Sequence, residues 1–387
     1  MIGKFVSFFN LDLALKTSFI VSILMTQSCS KIYLGSHNQQ YFDEINQPDE
    51  LGEIVKGWED GARTDDSKNQ FEWWYFDAEL EDGSLVVAYF YKVHFLKDQF
   101  FIGFNYTSPQ GEDFFQLKYF DKNEVSFLKD SCDVRMKNNI FKGNLSEYKI
   151  QLDPNDFDNF GFNLNLESSV RPYRPQDGII NAGDDYFAWL AAVPNGEVSG
   201  SITVNGNVKK ISGTGYHDHN WGNTPLQKLF KSWTWFRGQA GPYTVILAEL
   251  NALESRGGFD IPILYVADKS KVHVNKFGNS ELLTMKNMLI KDFYPKKNEP
   301  QFSNFSIVTI DNFSVKISGN EVIDNIEIFD RMSLPTPFNL FKPIVNLAFK
   351  TSRIDPFYTR FASTFELRLN SGQTFDGTGV MEIMDLQ

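Results

Sequence analysis

Phe71-Glu72-Trp73-Trp74-Tyr75-Phe76-Asp77-Ala78-Glu79-Leu80, closed by Asp82-Gly83 and answered by Leu85 to Phe95, is the stretch on which the fold class turns. In an extended chain Glu72, Trp74, Phe76, Ala78 and Leu80 share one face, and Trp73, Tyr75, Asp77 and Glu79 share the other. Asp-Gly accepts the positive φ that a two-residue turn demands, so the segment predicts a β-hairpin. The Trp74 face is apolar, whereas Asp77 and Glu79 mark the other as wet. Glu72 therefore points inward at one strand end, where a buried carboxylate needs a partner or a task. Hydrogen bonds to backbone amides or a barrel-closing salt bridge would satisfy it, as would a ligand.

Working outward, similar strands recur at Phe100 to Tyr106, Phe114 to Phe120, Val125 to Leu128, Tyr148 to Leu152, Phe162 to Leu166 and Tyr186 to Val193, between Gly, Asn, Asp and Pro turns. A second hairpin runs from Gly200 through Asn205-Gly206 to Tyr216. After Pro225 the pattern restarts at Trp233 to Arg237, Thr244 to Leu250, Ile261 to Val266, Phe305 to Ile310, Phe313 to Ile317, Ile326 to Phe329, Phe361 to Leu369 and Gly377 to Met384. Many short strands with little helical periodicity imply an all-β barrel or sandwich. One helix is expected, at Phe338 to Phe349. A chain of 387 residues exceeds one ordinary core, so two domains are expected, 66–228 and 229–387, after a polar tether at 30–65.

The first 29 residues read as a leader: Lys4 and Lys16 precede the apolar run Thr17 to Met25, too short to span a bilayer. Ser28 before Cys29 is the arrangement of a lipidated cysteine, with Thr26 where a leucine is commoner, so either an anchor at Cys29 or plain secretion follows. Export is expected, to a periplasmic or outer-membrane-anchored place in a cell envelope, with membrane attachment through that anchor alone. Cys132 is then the one cysteine left in the folded part, which excludes an intrachain disulfide. A net charge of -12 repels a phosphate backbone, so nucleic acid is not an expected partner. The 37 phenylalanines, 15 tyrosines and 7 tryptophans suit apolar pockets instead.

The densest polar cluster is Tyr216-His217-Asp218-His219-Asn220-Trp221. Strand parity puts His217, His219 and Trp221 on one face and Tyr216, Asp218 and Asn220 on the other. The first set is expected inward, although Gly213 and Gly215 permit a bulge that would reverse the phase. His-X-His is also a metal-ligand spacing, but His94 and Glu72 are the only guesses for a third ligand, and no metal is assigned. Hydrogen bonds closing a strand end, or a catalytic or ligand-orienting role, are the other readings. The strand Tyr243 to Leu250 carries a single carboxylate, Glu249. Enclosed, it would hold its proton near neutrality and serve as a general acid; facing water with Leu247, it would do nothing.

Glu72-Trp73-Trp74-Tyr75-Phe76, Trp189 to Gly200 and Gly215-Tyr216-His217-Asp218-His219-Asn220-Trp221-Gly222 resemble the carotenoid 1,2-hydratase (hydroxyneurosporene synthase) and AttH-like family. Tyr358 to Phe361 and Gly377 to Glu382 look like the end of that family's second domain, so the resemblance covers about residues 66–387. It implies two lipocalin-like, calycin-type antiparallel barrels with few short helices. It also implies water addition at a terminal alkene of an acyclic carotenoid, or cyclisation of a polyene, without a cofactor. His219 and Trp221 match the family's active His and Trp; the Tyr and Asp of its next strand are here replaced within Leu247-Ala248-Glu249. Protonating an unactivated alkene needs a desolvated acid and ring faces for the cation. Glu249 or Asp218 could give the proton, His219 and His217 orient it, and Trp221, Trp74, Tyr216, Glu72 and Asn220 surround the substrate. The alternative is non-catalytic carriage of a lipid or pigment, and a weaker third reading is an envelope scaffold.

Overall fold

The computed structural model describes residues 33–34, 54–65, 67, 69–94, 98–175, 178–278, 282–293, 300–309, 312–327 and 356–386. The leader, Cys29 and the helix expected at Phe338 to Phe349 lie outside them. Among the described residues the helices are 3-10 turns of three or four residues, and no helix is long and apolar enough to cross a membrane. The rest is two antiparallel sheets of 13 and 9 strands, each a nearly closed barrel.

The first sheet runs in the order Asp113–Phe120, Asp98–Thr107, Leu85–His94, Gln70–Leu80, Asn207–Gly222, Asp185–Val204, Gly161–Ser168, continuing through Glu147–Leu152 to Val125–Phe127. Its interior is packed by Trp74, Phe76, Phe90, Phe104, Phe141 and Leu164. In the second sheet Thr374–Asp385 lies between Phe230–Ala240 and Phe357–Arg368, and Phe236, Leu247, Ile307, Leu367 and Met381 fill the interior. A third apolar cluster lies between the barrels, with Tyr75, Val87, Trp189 and Tyr216 from the first and Phe230, Ile246, Ala248 and Tyr265 from the second. The strands at this junction bury both faces, because alternate side chains enter one barrel and the space between the two. That is why Phe71 to Phe76 is almost continuously aromatic.

The junction corrects one expectation. Asp77 is buried, and its carboxylate is paired with Arg237 of the second sheet; only Glu79 of that face is exposed. The outer face is dry because the second barrel covers it. Two further ties cross the junction: Arg256 to Asp185 at 2.6 Å, and the Tyr265 hydroxyl donating to the Arg171 carbonyl at 2.7 Å.

Residues 54–65, expected as tether, are part of the first barrel. Val55 and Ala62 join its core, and Glu59 pairs with Arg174 at 2.6 Å. Asp185–Val204 is one long strand where two were expected, with register shifts either side of Val193, beside Pro194, which cannot donate to the ladder. Ser314–Glu327 likewise merges two expected strands, with shifts between Gly319 and Asp324. No bulge interrupts the pairing of Asn207–Gly222 with Gln70–Leu80, so the parity of 216–221 stands. Gly213 serves close approach instead: a Cβ there would lie 2.2 Å from the Glu79 carbonyl oxygen. The strands Asp133–Met136, Asn139–Gly143, Ile179–Ala182, Val272–Phe277 and Leu282–Phe293 are not among those expected from the sequence, being short or interrupted by polar residues.

Candidate active site between the barrels

The 216–221 cluster is divided by its strand. His217, His219 and Trp221 enter the first barrel, as parity requires, but that interior is filled. Both imidazoles are fully buried; His219 stacks on Trp74 at 4.6 Å and lies 4.7 Å from Trp221. His219 Nε2 donates to Glu72 Oε1 at 2.9 Å, since a carboxylate only accepts. Glu72 also accepts from the Arg63 amide at 2.5 Å and the Thr64 hydroxyl at 2.7 Å. Burial would raise this carboxyl, but the His219 contact and Lys92 outweigh it and hold Glu72 at about 2. Glu72 is thus inward and satisfied by protein partners.

Beside it His217 Nδ1 lies 2.8 Å from the Tyr75 carbonyl and Nε2 3.2 Å from Asp60 Oδ2, which also accepts from Tyr148 at 2.5 Å. Asp60, Cys132 and His217 bring metal-ligand atoms within 4.8 Å of one another. That is a different set from the guessed third ligands, since His94 bonds Asp98 at 2.7 Å. Neither Asp60 nor Cys132 carries a sequence signal for this meeting, because only barrel closure brings them to His217.

Tyr216, Asp218 and Asn220, on the opposite face, line a cavity of about 340 Å³ between the barrels. Its walls are Trp73, Tyr75, Tyr89, Tyr91 and Trp189 from the first sheet and Trp233, Trp235, Tyr358 and Met384 from the second. A second lobe of about 600 Å³ adjoins it across Trp73, Tyr89, Tyr91, Trp233 and Tyr358, and reaches Phe101, Phe115, Arg360 and Asp324. These volumes match sites for small apolar ligands. Burial pushes the phenols of Tyr75, Tyr89, Tyr216 and Tyr358 well above the usual tyrosine range, so the walls stay neutral.

Asp218 is held by three donors: Trp189 Nε1 at 3.0 Å and the Tyr216 hydroxyl at 2.8 Å on Oδ2, and the Asn220 amide at 2.7 Å on Oδ1. Burial dominates these bonds and pushes its carboxyl up to about 7. Of roughly four acceptor positions three are filled, leaving one on Oδ1 for a proton. Glu382, on the same cavity wall as Tyr358, is also raised by burial, against the opposing pull of Arg360 and Tyr358. The cavity therefore holds two carboxyls that keep protons more readily than ordinary ones.

Glu249 is elsewhere. It is fully buried inside the second barrel, paired with Lys286 and accepting from the Asn251 amide at 3.1 Å, while Ala248 and Leu250 face the cavity. The expected meeting of Glu249 with His219 does not occur, and Trp74 and Trp221 pack inside the first barrel rather than around the cavity. Of the expected site residues, Asp218, Tyr216 and Asn220 line it. Trp189, Tyr358 and Glu382 were seen only as points of resemblance, and Trp73, Trp233 and Trp235 only as strand aromatics.

Residues 64–272 match the Diels-Alderase-like family, a span ending short of the resemblance read to residue 387. A hydroxyneurosporene dehydrogenase of Chlorobaculum tepidum is 26% identical over 213 residues, 44% of this chain and 54% of that protein. The chain thus spans about half the length of that curated relative. The crystal structure described as an AttH of Nitrosomonas europaea superposes with a TM-score of 0.59 at 16% identity, covering 87% of this chain and 98% of that one. Kievitone hydratase of Nectria haematococca gives 0.53 at 14% identity, covering 86% and 93%. At these identities the two structures speak for the fold alone.

Proposed function

Because the chain belongs to the Diels-Alderase-like family, we propose that it converts an apolar, unsaturated small molecule in the inter-barrel cavity by proton transfer from Asp218. The observation that carries this reading is a buried carboxyl, raised to about 7, set in a wall of aromatic rings. The Asp218 O–H bond breaks as a C–H bond forms at one carbon of a C=C bond, leaving a cation at the other. Tyr89, Tyr91, Trp233 and Trp235 offer π faces to that cation. In hydration, water oxygen bonds to the cationic carbon and its surplus proton returns to the Asp218 carboxylate. In cyclisation, a second C=C bond attacks and an adjacent C–H yields its proton to the same carboxylate. Either way Asp218 regains its proton, from the attacking water in hydration and from the substrate itself in cyclisation. Trp189, Tyr216 and Asn220 position Asp218.

An isoprenoid or carotenoid-like polyene is the substrate class this reading favours, supported by the cavity's apolar walls and by the Chlorobaculum relative's name. Export, with an anchor at Cys29, belongs to the same proposal and is supported by the leader's residues. Purified full-length protein incubated with neurosporene or lycopene in detergent should yield products heavier by one water or isomeric with the substrate. Asp218→Asn should slow conversion about 10²- to 10⁴-fold, the usual worth of a general acid. Full conversion by that variant would overturn the proton step and point to a pericyclic closure, which needs no acid. A stoichiometric, unchanged polyene extracted from the protein, with no product, would favour carriage.

A further inference from the structure

The outer lobe of the cavity contains a guanidinium whose hydrogen-bonding capacity a bare hydrocarbon would leave unused. Arg360 stands on Phe357–Arg368 beside Tyr358 and lines that lobe, yet only 7% of it is exposed. The other described buried arginines donate within hydrogen-bond reach: Arg63 to the Gly61 carbonyl at 2.8 Å, Arg174 to Glu59 at 2.6 Å, and Arg256 to the Lys228 carbonyl at 2.9 Å. Arg360 alone among them is not seen to donate to a described residue. Its Nε is buried without a hydrogen-bond partner, and its ion partner, Glu382 Oε1, lies 3.5 Å away.

Glu382 and Asp77 hold the guanidinium in its charged form, but at 3.5 Å the Glu382 carboxylate does not complete the Nε hydrogen bond. A guanidinium whose hydrogen bonds are unmade among aromatic rings is costly unless something completes them. Its planar fork suits a carboxylate or another oxygen anion better than any neutral group.

We propose that Arg360 anchors an acidic oxygen, so that the molecule accepted here is an apolar polyene or ring system ending in a carboxylate, enolate or similar oxygen anion. The anchor holds that head in the outer lobe and leaves the apolar part to lie along the rings toward Asp218. The inference rests on the cavity being the site proposed above, and it narrows the substrate from any hydrocarbon to an amphiphile.

The test is binding of cis-parinaric acid and of its methyl ester, followed by their own fluorescence, to the full chain and to Arg360→Gln and Arg360→Lys. The wild type should bind the acid about ten- to a hundredfold more tightly than the ester, the usual worth of a hydrogen-bonded charge. Arg360→Gln should abolish the difference, and its binding of the ester reports in the same titration that the cavity is intact. Arg360→Lys should keep part of the preference. Equal affinities in the wild type, or a preference that survives in Arg360→Gln, would overturn the anchor. If the ester binds, the acid is not preferred and conversion still depends on Asp218, the anchor fails while the proton step stands. If neither probe binds, the cavity is no ligand site and both fail.

Discussion

Replacing Asp218 by Asn should change the chain's stability with a sign that depends on pH. The folded state raises this carboxyl from 3.8 to about 7. The gap is about three pH units, each worth about 1.4 kcal/mol. Below pH 4 both folded and unfolded chains hold the proton, and the group costs nothing. Between about pH 4 and 7 the unfolded chain has released it while the fold retains it, so unfolding free energy falls by about 1.4 kcal/mol per unit. Above pH 7 the wild type lacks about 4 kcal/mol that it had at pH 4. Asn does not titrate, but it turns an amide toward the donors of Asp218, costing about 1–2 kcal/mol at every pH. The variant is therefore expected to be the less stable protein at pH 4 and the more stable at pH 8. Thermal unfolding of the two intact chains side by side should show the difference in midpoint changing sign and moving by roughly 8 °C across that range, at about 2 °C per kcal/mol. A difference that does not vary with pH would refute the assignment of a buried, protonated Asp218.

Glu72→Gln should lower stability by about 3–5 kcal/mol at neutral pH, the cost of breaking a buried pair with His219. Because the fold depresses Glu72 from 4.5 to about 2, its contribution is present above pH 4.5 and lost as pH falls toward 2; near-ultraviolet circular dichroism should find a flatter acid limb in the variant. Trp189→Phe removes one donor from the ionised form of Asp218, so the alkaline limb of a pH–rate profile should move up by about one unit, with the rate at low pH little changed. Glu249→Gln should leave conversion within about threefold while lowering the thermal midpoint, because this residue answers Lys286 inside the second barrel and does not face the cavity; a loss as large as that of Asp218→Asn would return it to the reaction.

The local chemistry of the chain was largely open to reading. Alternation in Phe71 to Leu80 placed Trp74 and Phe76 inward and made Glu72 a buried carboxylate with a partner, and the parity of 216–221 separated the histidine face from the Asp218 face. Asp77 misled because a charge on a strand face signals water only if no second layer covers it; Arg237, far along the chain, supplies both cover and counter-charge. Glu249 misled in the same way, since no cation adjoins it in sequence and Lys286 reaches it only through barrel closure.

What the residues alone determined was the pair of β barrels and which side chains share a strand face, with the three neighbours Tyr216, Asp218 and Asn220 as one group. What only the tertiary structure decided was which side of those strands borders empty space. Periodicity assigns a side chain to a face but carries no information on what stands opposite, and here the histidine face meets a filled interior while the Asp218 face meets the second barrel across a gap. The rings and the Tyr358, Arg360 and Glu382 groups that complete that gap come from the far end of the chain, and packing of one barrel on the other is the event that brings them to Asp218.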